Sequence, residues 1–451
     1  MNYCYVETSF GRIKGEQTAE GRIFHSIPFA VTERFESPQP VEPWGEFDAT
    51  ARQINCHQRF EYVDESSEDN NFYYREFDFN RDSRWAETPT CLTIITPDKA
   101  EKLPVLVYFH GGSFENGCID DVPFGSSFEY ARRGIILVSC GYRLNVFGLY
   151  GSRNYGLQDM EFGINWVREN IEAFGGDPDH IVIMGQSAGA MCLNDLLLDN
   201  RLAGTVKGAI MMSGGGLIPD FAGPKPAADS AAFWTEVMKR AGCNSEAELR
   251  QIEPQKLWQA WYDNKQSGAP MSAIQPAVDG IIVRDQPKNI VKRNEDLDVP
   301  LLIGVTSQDI FPYMILDMML NMGKRNAKNG RSPVYCYYFD HELPGKVYKA
   351  FHAADLWYMF GSFEKSWRPF EQFDVQLKDM MIDYNANFIR NLDPNGKNLP
   401  EWQPLTRRGT HLRHFHKNGK TYISPTIARS ANRISPSPNA ARQGRKAMRN
   451  S

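Results

Sequence analysis

Three features predict an α/β protein: a mostly parallel central sheet flanked by helices, with an N-terminal antiparallel portion and helical insertions above the sheet. Short apolar runs rich in β-branched residues alternate with longer helical patterns, as when crossover helices join parallel strands. The runs at 105–109 (VLVYF), 135–139 (IILVS), 181–185 (IVIMG), 208–213 (GAIMMS), 300–305 (PLLIGV) and 334–339 (VYCYYF) are nearly continuous in apolar character. Strands covered on both faces read this way. The N-terminal segments SFGRIKG and GRIFHSIPFA are instead short, alternating and bounded by glycine, which predicts antiparallel strands leading into the main sheet.

The helices follow. LQDMEFGINWVRENIEAF (157–174) places Phe162, Trp166, Ile171 and Phe174 at helical spacing, a stripe fit for burial. Gly175-Gly176-Asp177-Pro178 ends it, with glycine at the C-terminus and proline just beyond. Residues 220–275 and 310–322 read as helical and add no obvious strand, so they are expected above the sheet, where substrate pockets are built. From about 424 the chain is rich in Ser, Asn, Pro and Arg. Such a segment cannot bury enough apolar surface to offset chain entropy, which predicts a disordered tail over 424–451. A nucleic-acid-binding arm is the weaker reading of the same composition.

The 451 residues would by length alone allow about three average domains. Hydrophobic residues at 42% and charged residues at 23% are ordinary for a soluble globular protein. A net charge of -5 gives no global pull toward nucleic acid or an anionic membrane. No apolar stretch reaches the roughly eighteen residues of a membrane helix. MNYCYVETSFGRIKG lacks a basic region followed by an apolar core, so the expected location is cytoplasmic. The 8 cysteines include no C-x-x-C pair, which leaves zinc and thioredoxin-like readings without support. They are expected to be reduced and mostly buried.

IVIMGQSAGA (181–190) carries the chemistry. A strand ends at Gly185-Gln186-Ser187-Ala188-Gly189, and a helix-forming run, Met191 to Leu198, follows. G-x-S-x-G between strand and helix is the setting of a serine nucleophile on a sharp turn. Chance alone gives the pentapeptide in about one chain in six of this length, so Ser187 needs partners. A serine hydroxyl attacks only when a base takes its proton, and histidine suits that task. Chain order Ser, acid, His leaves His341, His352, His411, His414 and His416. Donors for a developing oxyanion are expected upstream, where VYFHGGSFENG (107–117) runs from a strand into a Gly-rich turn.

These segments resemble type-B carboxylesterases, the family of cholinesterases and bacterial para-nitrobenzyl esterases. GRIFHSIPFA, RFESPQPVEPW, CLTIITPDKAEKLPVLVYFHGGSFENG, CGYRLNVFG, GLQDMEFGINWVRENIEAFGGDPDHIVIMGQSAGA and FHAADLWYMFG carry the likeness over about residues 6–405. The resemblance implies one α/β-hydrolase domain over 1–423 and ester hydrolysis through an acyl-serine, without metal or cofactor. It assigns Ser187 as nucleophile and implies an oxyanion hole from the backbone amides of Gly112, Ser113 and Ala188. The family usually has glycine where Ser113 stands, so a modest change of pocket shape is expected. HAADLWYMFG selects His352 over His341. LLIGVTSQDIFPYMI places Asp309 at the acid position, with Ile310 replacing a glycine; an N-cap for the following helix is a second role for Asp309. Asp279 and Asp285 are weaker alternatives that read as a turn. Ser213 matches a serine that supports the acid.

Phe114, Trp357, Tyr358 and Phe360 are expected as apolar pocket walls, and a neutral small or medium ester as the small-molecule partner. Cys56 and Cys91 match a pair that is disulfide-bonded in secreted members. His411, His414 and His416 are expected to be solvent-exposed rather than metal ligands. Two rival functions remain: a serine hydrolase of amides, lactones or polyesters, and a non-catalytic binding module of the same fold.

Overall fold

The computed structural model describes residues 2–51, 54–58, 72–77, 84–220, 222–345, 349–408, 411–416 and 421–423. The predicted tail, 424–451, lies outside them. Twelve strands form the main path of one sheet: β1 Asn2–Thr8, β2 Gly11–Gln17, β3 Arg22–Pro28, β4 Cys91–Thr96, β5 Leu103–Phe109 and β6 Ile136–Cys140, then β7 Gly176–Gln186, β8 Val206–Met212, β9 Leu301–Thr306, β10 Val334–Asp340, β11 Leu412–His416 and β12 Thr421–Ile423. Their spatial order is β1-β2-β3-β4-β6-β5-β7-β8-β9-β10-β11-β12, and Gly45–Asp48 pairs beside β2.

From β6 through β11 every neighbouring pair is parallel. The β1–β4 end, by contrast, pairs antiparallel, as its short alternating segments predict. All six predicted central strands are present.

The continuous apolar character of those strands has a direct cause. Val105, Val107 and Phe109 of β5 and Ile181 and Ile183 of β7 enter one core, together with Ile164, Leu193 and Met319. The alternate residues Leu106, Tyr108, Val182 and Met184 enter a second core with Leu377, Met381 and Phe388. A period of two therefore divides each strand between two buried faces.

Helices packed into the first core include α1 Tyr155–Asn170, α2 Ala188–Leu196 and, further along the chain, Pro312–Asn329. A 3-10 turn, Ile171–Phe174, extends α1 before Gly175 (φ 90°) stops it. Trp166, Ile171 and Phe174 of the predicted stripe are buried, while Phe162 is half-buried against the core. The insertion at 220–275 holds α3 Ala231–Arg240 and α4 Pro254–Gln266. It is followed by α5 Pro287–Arg293. The helix expected at 310–322 is α6 Pro312–Asn329, opened by proline in its first turn and closed by Gly330 at φ 68°. Two of the sequence blocks meet in a buried ion pair: Arg143 Nη2 lies 2.7 Å from Asp159 Oδ1, and its Nε donates to Oδ2 at 2.8 Å.

Candidate active site

Ser187 joins β7 to α2 at φ 52°, ψ -122°, a conformation that costs on the order of 1–3 kcal/mol outside glycine. Main-chain packing holds it there. A Cβ on Gly185 would stand 2.7 Å from the Gly189 carbonyl carbon, and one on Gly189 would stand 2.4 Å from Phe109 O. Both positions need hydrogen in place of a side chain. Ser187 N donates to Met212 O at 2.8 Å, tying the turn to β8.

Asp309 and His352 come from two loops at neighbouring strand ends. Gln308 N donates to Ala350 O at 3.0 Å, which draws the loops side by side. His352 Nδ1 lies 2.8 Å from Asp309 Oδ1, and its Nε2 lies 2.8 Å from Ser187 Oγ. A proton on Nδ1 donates to the carboxylate and leaves Nε2 to accept from the serine hydroxyl. The three residues thus form one hydrogen-bonded chain.

Burial alone would raise the Asp309 carboxyl. The charge and hydrogen bond of His352, with help from Ser213 and the Ile310 amide, hold it below its ordinary value. Burial alone would likewise lower His352. Asp309, by charge and hydrogen bond, and Asp355 by charge more than offset this, so the imidazole titrates above its ordinary 6.5. With the Asp309 carboxylate beside it, the neutral imidazole is a stronger base than free histidine.

The upstream turn approaches this chain closely. A Cβ on Gly111 would lie 2.9 Å from Ser187 Cβ. Gly112 (φ 116°), Ser113 (φ 58°) and Phe114 (φ 62°) are successive left-handed residues. Gly112 cannot carry a side chain, since a Cβ would meet Asn116 O at 2.0 Å. Ser113 accepts the conformation with its side chain in solvent. The residues that follow are tied from outside the turn. Asn145 N donates to Phe114 O at 2.6 Å, and Gln58 bonds both the N–H (2.8 Å) and the C=O (2.9 Å) of Gly117. Lys265 Nζ of α4 donates to Glu115, with each side chain only 10% exposed.

Several expectations require correction. Asp309 caps no helix among the described residues: α6 begins at Pro312 behind Phe311, and the one backbone amide that Asp309 Oδ1 accepts there is the next, Ile310 N, at 2.8 Å. Trp357, Tyr358 and Phe360 are not pocket walls. They are fully buried in the second core, where Trp357 Nε1 donates to Glu76 and Tyr358 Oη to Asp374. Phe114 is buried in the first core. His414 is not exposed either; it and His416 lie 3.5 and 3.8 Å from Asp340 Oδ2.

The remaining sites divide as follows. His341 pairs with Asp374 at 2.7 Å, apart from Ser187. Asp279 Oδ1 accepts three amides, Ile281 to Val283, as a turn residue does. Asp285 accepts from Gln286 N. Cys56 and Cys91 are not joined in a disulfide, and burial pushes each thiol up to about 12. Ser213 Oγ is buried beside Asp309 without a hydrogen bond of full geometry.

The direct support of the acid is a residue the sequence reading missed. Thr306 Oγ1 donates to Asp309 Oδ2 at 3.1 Å, and its place at a strand end three residues before the acid was the available signal. Gln186 Nε2, 3.4 Å from His352 Nε2, was also missed. So was Asp355, pushed up to about 6 by burial and bonded by Tyr337 Oη at 2.6 Å.

The sequence model of the Carboxylesterase family matches residues 3–322 and 312–430. Para-nitrobenzyl esterase of Bacillus subtilis (strain 168) is 27% identical over 437 aligned positions, covering 81% of this chain and 84% of that protein. Carboxylesterase 4A of Bos taurus is 24% identical, covering 90% of each. Cocaine esterase of Homo sapiens is 26% identical over 90% of this chain and 85% of its own. In three dimensions a PNB esterase superposes with a TM-score of 0.82 at 22% identity, covering 97% of this chain and all of that one, a likeness of fold. The chain belongs to the carboxylesterase family and is a type-B carboxylic ester hydrolase with the α/β-hydrolase fold.

Proposed function

We propose that Ser187 attacks the ester carbonyl carbon, with His352 as general base and Asp309 holding the imidazole. The observation that carries this reading is the continuous chain Ser187–His352–Asp309, with 2.8 Å at each link. As Oγ bonds to carbon, its proton passes to Nε2, and the negative charge of Asp309 stabilises the imidazolium. The backbone amides of Gly112, Ser113 and Ala188 receive the developing oxyanion; among the described residues none of these three N–H groups donates a backbone hydrogen bond outside helices and strands. His352 then protonates the departing alcohol, and water releases the acid from Ser187 by the reverse sequence.

Small uncharged esters suit a half-buried nucleophile, and the name of the Bacillus subtilis relative makes para-nitrobenzyl esters the first choice for assay. A single domain over 1–423 belongs to the same reading, supported by one sheet that runs from β1 to β12. A cytoplasmic location also belongs to it, supported by 8 cysteines not joined in disulfides, a state that a reducing compartment maintains.

Intact-mass labelling with a fluorophosphonate tests the proposal. One adduct on the wild-type protein and none on Ser187→Ala is the expected result. Adducts on both place the nucleophile elsewhere. An unlabelled but folded wild-type protein overturns the mechanism and favours a non-catalytic module. Turnover of amides or lactones in preference to esters would shift the substrate class while keeping the residues.

A further inference from the structure

A cavity of about 250 Å³ lies beside the far end of α2, away from Ser187, on the face of the first core. Leu197, Leu198, Met211, Leu301 and Met322 line its walls. Such a volume falls just below the range of about 300–1,000 Å³ typical for drug-sized ligands, so a smaller molecule fits. Its polar lining comprises the amides Asn194 and Asn326, the carboxylate Asp296 and two cations, Lys288 and Lys292. Lys288, Val291 and Lys292 of α5 all line it, and spacings of three and four residues set them on one helical face.

Lys292 is exposed and makes no ion pair among the described residues. Lys288 pairs with Asp220 at 2.9 Å, but both side chains are more than half exposed, so this pair adds little and exchanges readily. The carboxylate of Asp296, also in the lining, is neutralised by Arg325 (2.6 Å) and Arg331 (3.0 Å). Two lysines over an apolar hole select a ligand with an anionic head and an aliphatic tail.

We propose that this cavity is a second ligand site for a medium-chain monocarboxylate, its tail among the leucines and methionines and its head between Lys288 and Lys292. This is the class of acid that hydrolysis of an aliphatic ester releases. The site needs neither Ser187 nor His352. Its wall includes Asn194 of α2, whose Oδ1 accepts Gly216 N at 3.1 Å. Occupancy therefore abuts the helix that follows Ser187.

The test is calorimetric titration of octanoate into the full chain with Ser187 blocked by a fluorophosphonate, or into Ser187→Ala if labelling fails. Octanoate is expected to bind both with a dissociation constant on the order of 0.1–1 mM. K288E/K292E, a surface change, is expected to weaken binding at least tenfold without altering the melting temperature. Val291→Trp is expected to abolish it by filling the hole, and octylammonium should bind at least tenfold more weakly than octanoate. The inference fails if octanoate gives no heat. It also fails if blocking Ser187 removes binding while the lysine variant keeps it, which would place the acid in the catalytic site. Labelling of each variant reports on the esterase reading separately.

Discussion

The two turns that converge on Ser187 are both held in left-handed backbone conformations, but by different means. The nucleophile turn, with Ser187 at φ 52°, is fixed by main-chain contact: glycines at 185 and 189 allow strand and helix to touch, and an amide bond ties the turn to β8. The 112–114 turn contains two non-glycine residues at φ 58° and 62°, and its struts are side chains from distant segments, Gln58, Asn145 and Lys265. Strain persists only where the surroundings over-determine it. The first turn is held by main-chain atoms, its own and those of β5 and β8 packed against it. The second borrows its determinants from across the chain.

The largest expected effect separates the shape of the nucleophile turn from its reactivity. Asp309→Asn leaves the backbone of 185–189 untouched but removes the charge that raises His352. An amide in place of the orienting acid costs about ten-thousandfold in kcat in the well-studied serine-protease case, and a loss of similar order is expected here. The sign of the pH effect follows from the shift. His352 must be neutral to accept the proton, so the acidic limb of kcat/KM for the wild type lies above pH 6.5. In the variant that limb moves to lower pH. A limb that stays put would mean that another group titrates.

Next comes a direct attack on the main-chain contact. Gly189→Ala sets a methyl group 2.4 Å from Phe109 O and 2.5 Å from His110 O, both backbone atoms that cannot rotate away. Strand and helix must separate, and a displacement near 1 Å at a nucleophile can cost about a hundredfold. Fluorophosphonate labelling slowed by that order, with a lowered melting temperature, is the expected outcome. Unchanged labelling would show that the turn is not held by this contact.

This contrast also explains what could be read from the sequence. The strands, α1 and the nucleophile turn were legible because their causes are local: period, flanking glycine and G-x-S-x-G. His352 and Asp309, the proposed partners of Ser187, were singled out through chain order and family resemblance, not through spacing, and the structure sets them within hydrogen-bond reach of one another and of Ser187. Lys265 was not legible, because nothing near it in sequence shows that Glu115 lies opposite; Thr306, three residues before Asp309 at a strand end, did carry a local signal. The burial of Trp357, Tyr358 and Phe360 was misjudged for a related reason. An aromatic run beside a functional histidine reads the same whether it faces a pocket or a core, and only the packing of Glu76 and Asp374 against it decides.

A smaller effect is expected from the side-chain struts. Lys265→Met leaves Glu115 buried without its partner, and burial already raises that carboxyl above its ordinary value. Breaking one half of a fully buried pair costs roughly 3–5 kcal/mol, and this pair at 10% exposure costs less. The turn should loosen rather than vanish. About a tenfold fall in kcat is expected, short of the hundred- to thousandfold for deleting an oxyanion donor. Glu115→Gln with Lys265→Met removes both charges and should recover most of the stability. If kcat recovers as well, the strut acts through charge burial; if kcat stays low, the lysine itself positions the turn.

The smallest effect is expected at Ser113. Replacing it with glycine relieves a left-handed φ worth about 1–2 kcal/mol, but returns roughly 0.4–1 kcal/mol of chain entropy to the unfolded state. The two nearly cancel, so thermal unfolding should move by only a degree or two, and kcat in the wild-type background should change less than about twofold. The informative measurement is the same substitution in the Lys265→Met background. There the turn has lost its strut, and glycine removes the strain that the strut opposed. Recovery of activity on adding Ser113→Gly would show that the struts exist to hold a strained serine in place. Equal effects in both backgrounds would mean that the strain and the lysine are independent, and that the turn, like Ser187, is held by its own main chain.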